Sequence, residues 1–365
     1  MSISENRASF KKEFIQTKTR EDELVKDKFS LESGYRDELK EYYSLRRGVG
    51  FRISEAYFLK ITGKDARQLL QRMTTSNVSQ LKPGFFQRTM FLDAEANFID
   101  RLFLLDFGDS FWAVGNEIFK NKIPKWIINY RLKEDVSLLL QEDFILFEMY
   151  GSQADSFISM LVDSDLSLNH PGQFFKAGVE PNSYYYFFEK DFAGKNIYYF
   201  ITQKENSQNF IDYIRDNSSV FELNFAGKSA FEKFRIEYGY TAAGKEITDF
   251  FTPFDFNLQK EINLTKGRFI GYEGVHKLIE NKHLKKKFVG LLPDKKIKIL
   301  PPIQLKGEND EIIGYITSIT DSVLLKRQFC LATVSEKAVT KGKLSGLKID
   351  GEILNFKIQS LPLTR

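Results

Sequence analysis

The sequence predicts an α+β protein that ends in a small β domain, and three observations carry that prediction. Segments of helical periodicity are interleaved with strand pairs joined by turn residues, an order that favours antiparallel sheets over a parallel one. From Phe288 onward the chain reads as short strands separated by Gly and Pro. The chain has 365 residues, 42% apolar and 28% charged, with 53 basic against 49 acidic. That is enough for two or three domains and too evenly charged for a disordered polymer.

Each element follows from local pattern. From Ser9 to about Leu45 the chain is charged, lacks Pro and spaces Phe10, Phe14, Leu24, Phe29, Leu31, Leu39 and Tyr43 in a partly helical way, which predicts a helical lead-in. Gly48 and Gly50 break it. Phe51, Ile53, Tyr57, Leu59 and Ile61 then alternate with polar residues as a half-buried strand that ends at Gly63. Ala66, Leu69, Leu70 and Met73 fall on one helical face, Pro83-Gly84 makes a turn, and the runs Thr89 to Leu92 and Phe98 to Phe107 form a hairpin. A helix is predicted over Glu117 to Tyr130. A second, similar unit begins near Val136. Its strands are Phe144 to Tyr150, Phe174 to Val179, Tyr184 to Glu189 and Asn196 to Thr202, and its helices lie near Ala154 to Leu161 and Asn209 to Asp216.

Composition removes several function classes. A net charge of +4 is too slight to mark a phosphate backbone as partner, so nucleic acid is not expected. The basic stretch Leu284 to Lys287 reads as a solvated linker face. Cys330 is the lone cysteine, which excludes an internal disulfide and a cysteine metal cluster. His170, His276 and His283 are scattered without HxxxH spacing, so no metal site is expected. The phosphate-loop, dinucleotide and serine-elbow signatures are absent. Neither a signal peptide nor a membrane-length apolar run occurs, and the expected location is cytoplasmic. The 35 Phe and 16 Tyr are read as core-filling rings.

Three ordered segments are more specific. The first is Ile61-Thr62-Gly63-Lys64-Asp65-Ala66, leading to Leu70 through Val78 and then Leu81-Lys82-Pro83-Gly84. The second is Phe234-Arg235-Ile236-Glu237-Tyr238-Gly239, followed by Gly244-Lys245-Glu246-Ile247 and Thr252-Pro253. The third is Lys266-Gly267-Arg268-Phe269-Ile270-Gly271-Tyr272-Glu273. With Ile313-Gly314-Tyr315-Ile316-Thr317-Ser318 and Ser322 beyond them, these resemble the glycine cleavage T-protein, an aminomethyltransferase, and its folate-binding relatives, from about Gly48 to the end.

The resemblance implies a three-domain, cloverleaf-like α+β architecture with a C-terminal β-barrel and tetrahydrofolate in a central channel. The corresponding segments are an N-terminal helical extension over 1–45, a first folate-binding lobe over 46–135, a second lobe over 136–285 and the barrel over 286–365. The implied reaction moves an aminomethyl unit from a lipoyl-carrying partner protein to the folate. Asp100 matches the family's active-site Asp, where a carboxylate can hold a proton or stabilise an iminium cation. Arg235 matches an arginine suited to a folate carboxylate or an internal acid. Arg88 and Asn196 stand at two further cofactor-binding positions, where the family has a tyrosine and a pterin-binding Glu.

Departures from the family pattern are numerous. Arg52 and Glu55 replace the Asp and His of an Asp-x-Ser-His motif, Asn77 replaces an Asp, and Arg101 replaces the second Asp of a pair. Arg268 stands where iron-sulfur-assembly relatives carry a functional cysteine. Two functions therefore follow from the resemblance: a tetrahydrofolate-dependent aminomethyl transferase, or a noncatalytic folate-binding protein acting in iron-sulfur cluster assembly or regulation.

Overall fold

A computed structural model describes residues 37–161, 172–178, 183–190, 193–281, 286–307, 309–341, 343–349 and 351–363. His170, His283 and most of the expected lead-in lie outside them. The chain divides into two units, Met1–Glu38 and Leu39–Arg365, and apart from the first residue of helix α1 (Glu38–Arg46) every element below belongs to the second.

After α1 come β1 (Val49–Ser54) and β2 (Ala56–Thr62). The sequence reads them as one strand, but they part at Glu55 and enter different sheets. Helix α2 (Ala66–Met73) buries Ala66, Leu69, Leu70 and Met73, spaced three and four apart as one helical face requires. The hairpin strands β3 (Phe86–Leu92) and β4 (Phe98–Asp106) are followed by β5 (Phe111–Asn116), helix α3 (Lys122–Tyr130) and β6 (Ser137–Leu140). These strands form a five-stranded antiparallel sheet in the order β3-β4-β5-β2-β6, with β3 at one margin, where the Thr75 amide donates to Met90 O and the Phe86 amide to Gly172 O.

The next elements are β7 (Phe144–Tyr150), α4 (Ala154–Leu161), β8 (Phe175–Ala177), β9 (Tyr184–Lys190), β10 (Asn196–Gln203), α5 (Ser207–Asp216), β11 (Leu223–Phe225) and α6 (Lys228–Tyr238). Their strands make a six-stranded sheet, β11-β1-β7-β10-β9-β8, antiparallel except where β1 pairs with β11. Helix α6 stops at Gly239, whose φ of 81° is the left-handed conformation that glycine adopts without penalty. Helix α7 (Tyr272–Glu280) precedes the last six strands: β12 (Lys286–Pro293), β13 (Ile303–Lys306), β14 (Ile312–Ser322), β15 (Arg327–Ser335), β16 (Lys343–Ile349) and β17 (Glu352–Gln359). They close into a barrel, β12-β15-β14-β13-β16-β17, and Cys330 is buried among its apolar core residues.

Strand alternation divides the cores. One face of the five-stranded sheet packs Tyr57, Leu59 and Leu102 against α2 and α3. The other places Phe58, Phe103 and Trp112 in a shared core with Leu146, Phe187 and Tyr199 of the six-stranded sheet. The outer face of that second sheet carries an aromatic cluster in which Phe51 stacks on Phe147 at 5.1 Å and both meet Phe210 of α5. Burying large rings on both faces accounts for the Phe-rich composition. Among the described residues no helix is long and apolar enough to cross a membrane.

Candidate active site

The outer edge of β3 borders a cleft of about 740 Å³. Its walls are Ser76–Lys82 from the loop after α2, Phe85–Arg88 at the start of β3, Gly172, and the loop Lys260–Thr265. The two loops are stapled together. Lys266 Nζ donates to the carbonyls of Thr74 and Ser76, at 2.5 and 2.7 Å, and the Asn263 amide donates to Thr75 O at 2.9 Å. Burial pushes the Lys266 ammonium down to about 7.

Arg88 lines this cleft from the face shared with the second sheet. Its guanidinium lies 3.6 Å from the centroid of the Phe103 ring, donates to both Glu189 oxygens and reaches Tyr199 Oη at 3.3 Å. Burial opposes its charge, but Glu189 and Tyr199 more than offset that and hold its pKa above the ordinary value. Two more arginines repeat the arrangement. Arg101 donates to Glu261 through two bonds of 2.8 and 2.7 Å, and Arg52 donates to Glu148 at 2.5 Å. Burial would raise the Glu261 carboxyl, yet Arg101 and Arg88 hold it below the usual range. Arg52, Arg88 and Arg101, three of the arginines that depart from the family pattern, thus sit in internal ion pairs.

Asp100 lies on β4, facing the α2 side of its sheet, and is 1% exposed. Tyr57 Oη donates to its Oδ2 at 2.7 Å, and the Arg101 amide donates to Oδ1 at 2.7 Å. Room for this pair comes from Gly115 on β5, where a Cβ would stand 2.6 Å from Asp100 Oδ2 and 2.7 Å from Tyr57 Oη. Burial raises the Asp100 pKa to about 7, against the smaller lowering influences of Tyr57, the Arg101 amide, Lys122 and Arg88.

Arg235 is fully occupied inside the protein. It donates to both oxygens of Glu232 at 2.7 and 2.8 Å, to Glu246 at 3.3 Å, to Ser318 Oγ at 3.0 Å and to Tyr240 O at 3.2 Å. Ser318 in turn donates to Glu246 at 2.7 Å, and Ser322 donates to Glu237 at 2.6 Å, so the family-like barrel serines tie β14 to α6 and the loop after it. Asn196 begins β10 and donates to Asp155 of α4 at 3.0 Å. It stands three positions before Tyr199, so strand alternation sends their side chains to opposite faces. The carboxylate that reaches Arg88 from this sheet is Glu189.

The structure therefore places Asp100 and Arg88 on neighbouring strands but on opposite faces of their sheet, with only Arg88 lining the cleft, and sets Arg235 and Asn196 apart from both. Sequence reasoning missed Tyr57, Glu148, Glu189, Tyr199 and Glu261. A usable signal existed for two of them: Glu148 is an acid inside the apolar run Phe144–Tyr150, and Glu189 closes a run of five aromatic residues. Among the described residues no group of three or more His, Cys, Asp or Glu is gathered for a metal.

The GCVT N-terminal domain model matches residues 28–266. The chain belongs to this family. It is 26% identical over 311 residues to an aminomethyltransferase of Caldanaerobacter subterraneus subsp. tengcongensis, covering 82% of this chain and 80% of the relative. It is 23% identical over 333 residues to an aminomethyltransferase of Bacillus subtilis, covering 88% and 90%. Among solved structures, the glycine cleavage system aminomethyltransferase T of Bartonella henselae superposes with a TM-score of 0.73 over 89% of both chains at 19% identity, which shows a shared fold.

Proposed function

We propose that this protein binds tetrahydrofolate in the cleft along β3 and transfers an aminomethyl-type one-carbon unit to it in cytoplasmic one-carbon metabolism, with a lipoyl-carrying protein as donor. The observation that carries this reading is Asp100: a buried carboxyl whose pKa is raised to about 7 can hold or release a proton at neutral pH, as general acid–base work requires. It lies on the strand next to β3, on the opposite face of the sheet from Arg88, and stands behind the cleft wall rather than among its lining residues. Tyr57 and the Arg101 amide fix the carboxyl's orientation, and its burial excludes bulk water from the proton it holds. The cleft is of the size of ordinary small-molecule sites and presents unpartnered polar atoms, which fits a polar heterocycle. Tetrahydrofolate supplies the nucleophilic nitrogens that accept the one-carbon unit. In this reading Arg88 and its Glu189 partner shape the cleft wall, while Arg235 and Asn196 act at a distance by holding α6 to the barrel and β10 to α4.

A second reading, folate binding without turnover, is favoured by the arginine pairs. Glu148, Glu189 and Glu261 are each held by an arginine, and Asp100 is held by Tyr57, so none of these four carboxyls is left free to meet a ligand cation. Calorimetric titration with tetrahydrofolate, paired with single-turnover assays of an aminomethyl-loaded lipoyl protein, separates the two. Transfer that collapses in Asp100→Asn with folate binding retained supports catalysis. Binding with no transfer in the wild type supports the second reading, and no heat at all refutes both.

A further inference from the structure

Three buried side-chain atoms along the cleft wall lack any hydrogen-bond partner: Ser76 Oγ, Asn77 Oδ1 and Gln87 Nε2. Buried polar atoms are almost always paired, so three in one wall call for an external partner. Pairing with β3 sets part of this wall. The Ser76 amide donates to Thr89 Oγ1 at 3.2 Å, and Thr89 and Gln87 are alternate residues of β3 that share a face. Ser76 therefore lies opposite Thr89, and Ser76, Asn77 and Gln87 all line the same cleft. Asn77 precedes a 3-10 turn, Val78–Gln80, yet its side chain makes no capping bond, so its oxygen is not spent locally. The Lys266 bonds to Thr74 and Ser76 hold this wall in place.

We propose that Asn77 and Gln87 read the amide edge of the ligand's ring, with Asn77 Oδ1 accepting from a ring N–H or amino group, Gln87 Nε2 donating to the adjacent ring carbonyl, and Ser76 Oγ taking a third bond. The inference rests on the folate reading, since a pterin carries such an N–H and C=O side by side. Glu261, the carboxylate that lines the cleft, is already bound at both oxygens by Arg101, so recognition of the edge passes to neutral amides. Such a pair distinguishes a 4-oxo ring from a 4-amino ring, because Gln87 Nε2 offers only donors to that position.

The test titrates the full chain with tetrahydrofolate, a 2,4-diaminopteridine, guanosine and uridine, and compares Asn77→Leu, Gln87→Leu and Gln87→Glu. The leucine variants remove unpaired buried amides, so each raises the melting temperature of the free protein while weakening tetrahydrofolate about tenfold. Gln87→Glu, whose side chain keeps the shape but only accepts, shifts preference toward the diaminopteridine. Leucine variants that bind tetrahydrofolate as tightly as wild type overturn the edge assignment and leave the folate proposal standing. Binding of guanosine or uridine but not tetrahydrofolate, lost in the variants, overturns the folate reading and supports the edge assignment. Silence with all four compounds overturns both.

Discussion

Asp100→Asn tests the buried carboxyl through stability, independently of any ligand. Moving this group from an ordinary 3.8 to about 7 corresponds, at about 1.4 kcal/mol per pH unit, to roughly 4 kcal/mol of difference between its two protonation states. The folded state binds the proton more tightly than the unfolded chain does. Its contribution is therefore fully present below about pH 4, is lost as pH rises toward 7, and is constant above. Asparagine is neutral throughout and can serve both neighbours, accepting from the Arg101 amide and donating to Tyr57 Oη. Urea denaturation of wild type and variant at half-unit steps from pH 4 to 8 reads the difference directly. The two should be nearly equal at pH 4, and the variant should gain steadily to at most about 4 kcal/mol near pH 8, where the wild type buries a carboxylate. Parallel curves across that range would refute the raised pKa, and with it the physical argument that makes Asp100 an acid at neutral pH.

The remaining expectations concern its surroundings. Gly115→Ala drives a methyl into the Asp100–Tyr57 pair and should cost about 1–3 kcal/mol of overpacking; if the pair is displaced as expected, the pH 4 to 7 dependence of stability flattens in the same denaturation series. Arg88→Leu strands Glu189 and should cost about 3 kcal/mol, the low end for a broken buried pair because about a fifth of each side chain is exposed. The double variant Arg88→Leu/Glu189→Leu should recover most of that loss, and additive single costs in the double-mutant cycle would contradict the coupling. Cys330 is fully buried with its thiol pushed up to about 12, so it should stay unmodified by a disulfide reagent at pH 8 until denaturant is added; rapid labelling of the native protein would contradict the barrel packing.

What could be read from the sequence, and what could not, divides along the distance between interacting residues. Helix α2 and strand β7 were legible because their signals are local: Leu69, Leu70 and Met73 repeat at helical spacing, and Phe144 to Tyr150 is one apolar run. The break at Glu55 was not, because β1 and β2 carry the same alternation and only their partners, Glu148's strand for one and Trp112's for the other, tell them apart. Asn196 was placed by its position in a motif, whereas its direction is set by pairing parity along β10.

The arginines at 52, 88 and 101 show the same limit at the site itself. Compared with a family pattern one position at a time, each reads as a lost ligand-binding residue. Their carboxylates lie 96, 101 and 160 residues further along the chain, so the pairing is invisible until the sheets and the 260 loop are folded together. An unpaired guanidinium at such a partly buried position would be costly, as would the unpaired acid. The physical unit that differs is therefore the pair. Reverting one arginine alone would leave an acid uncompensated, and a test of whether this cleft can be returned to the family pattern has to change Arg88 and Glu189 together.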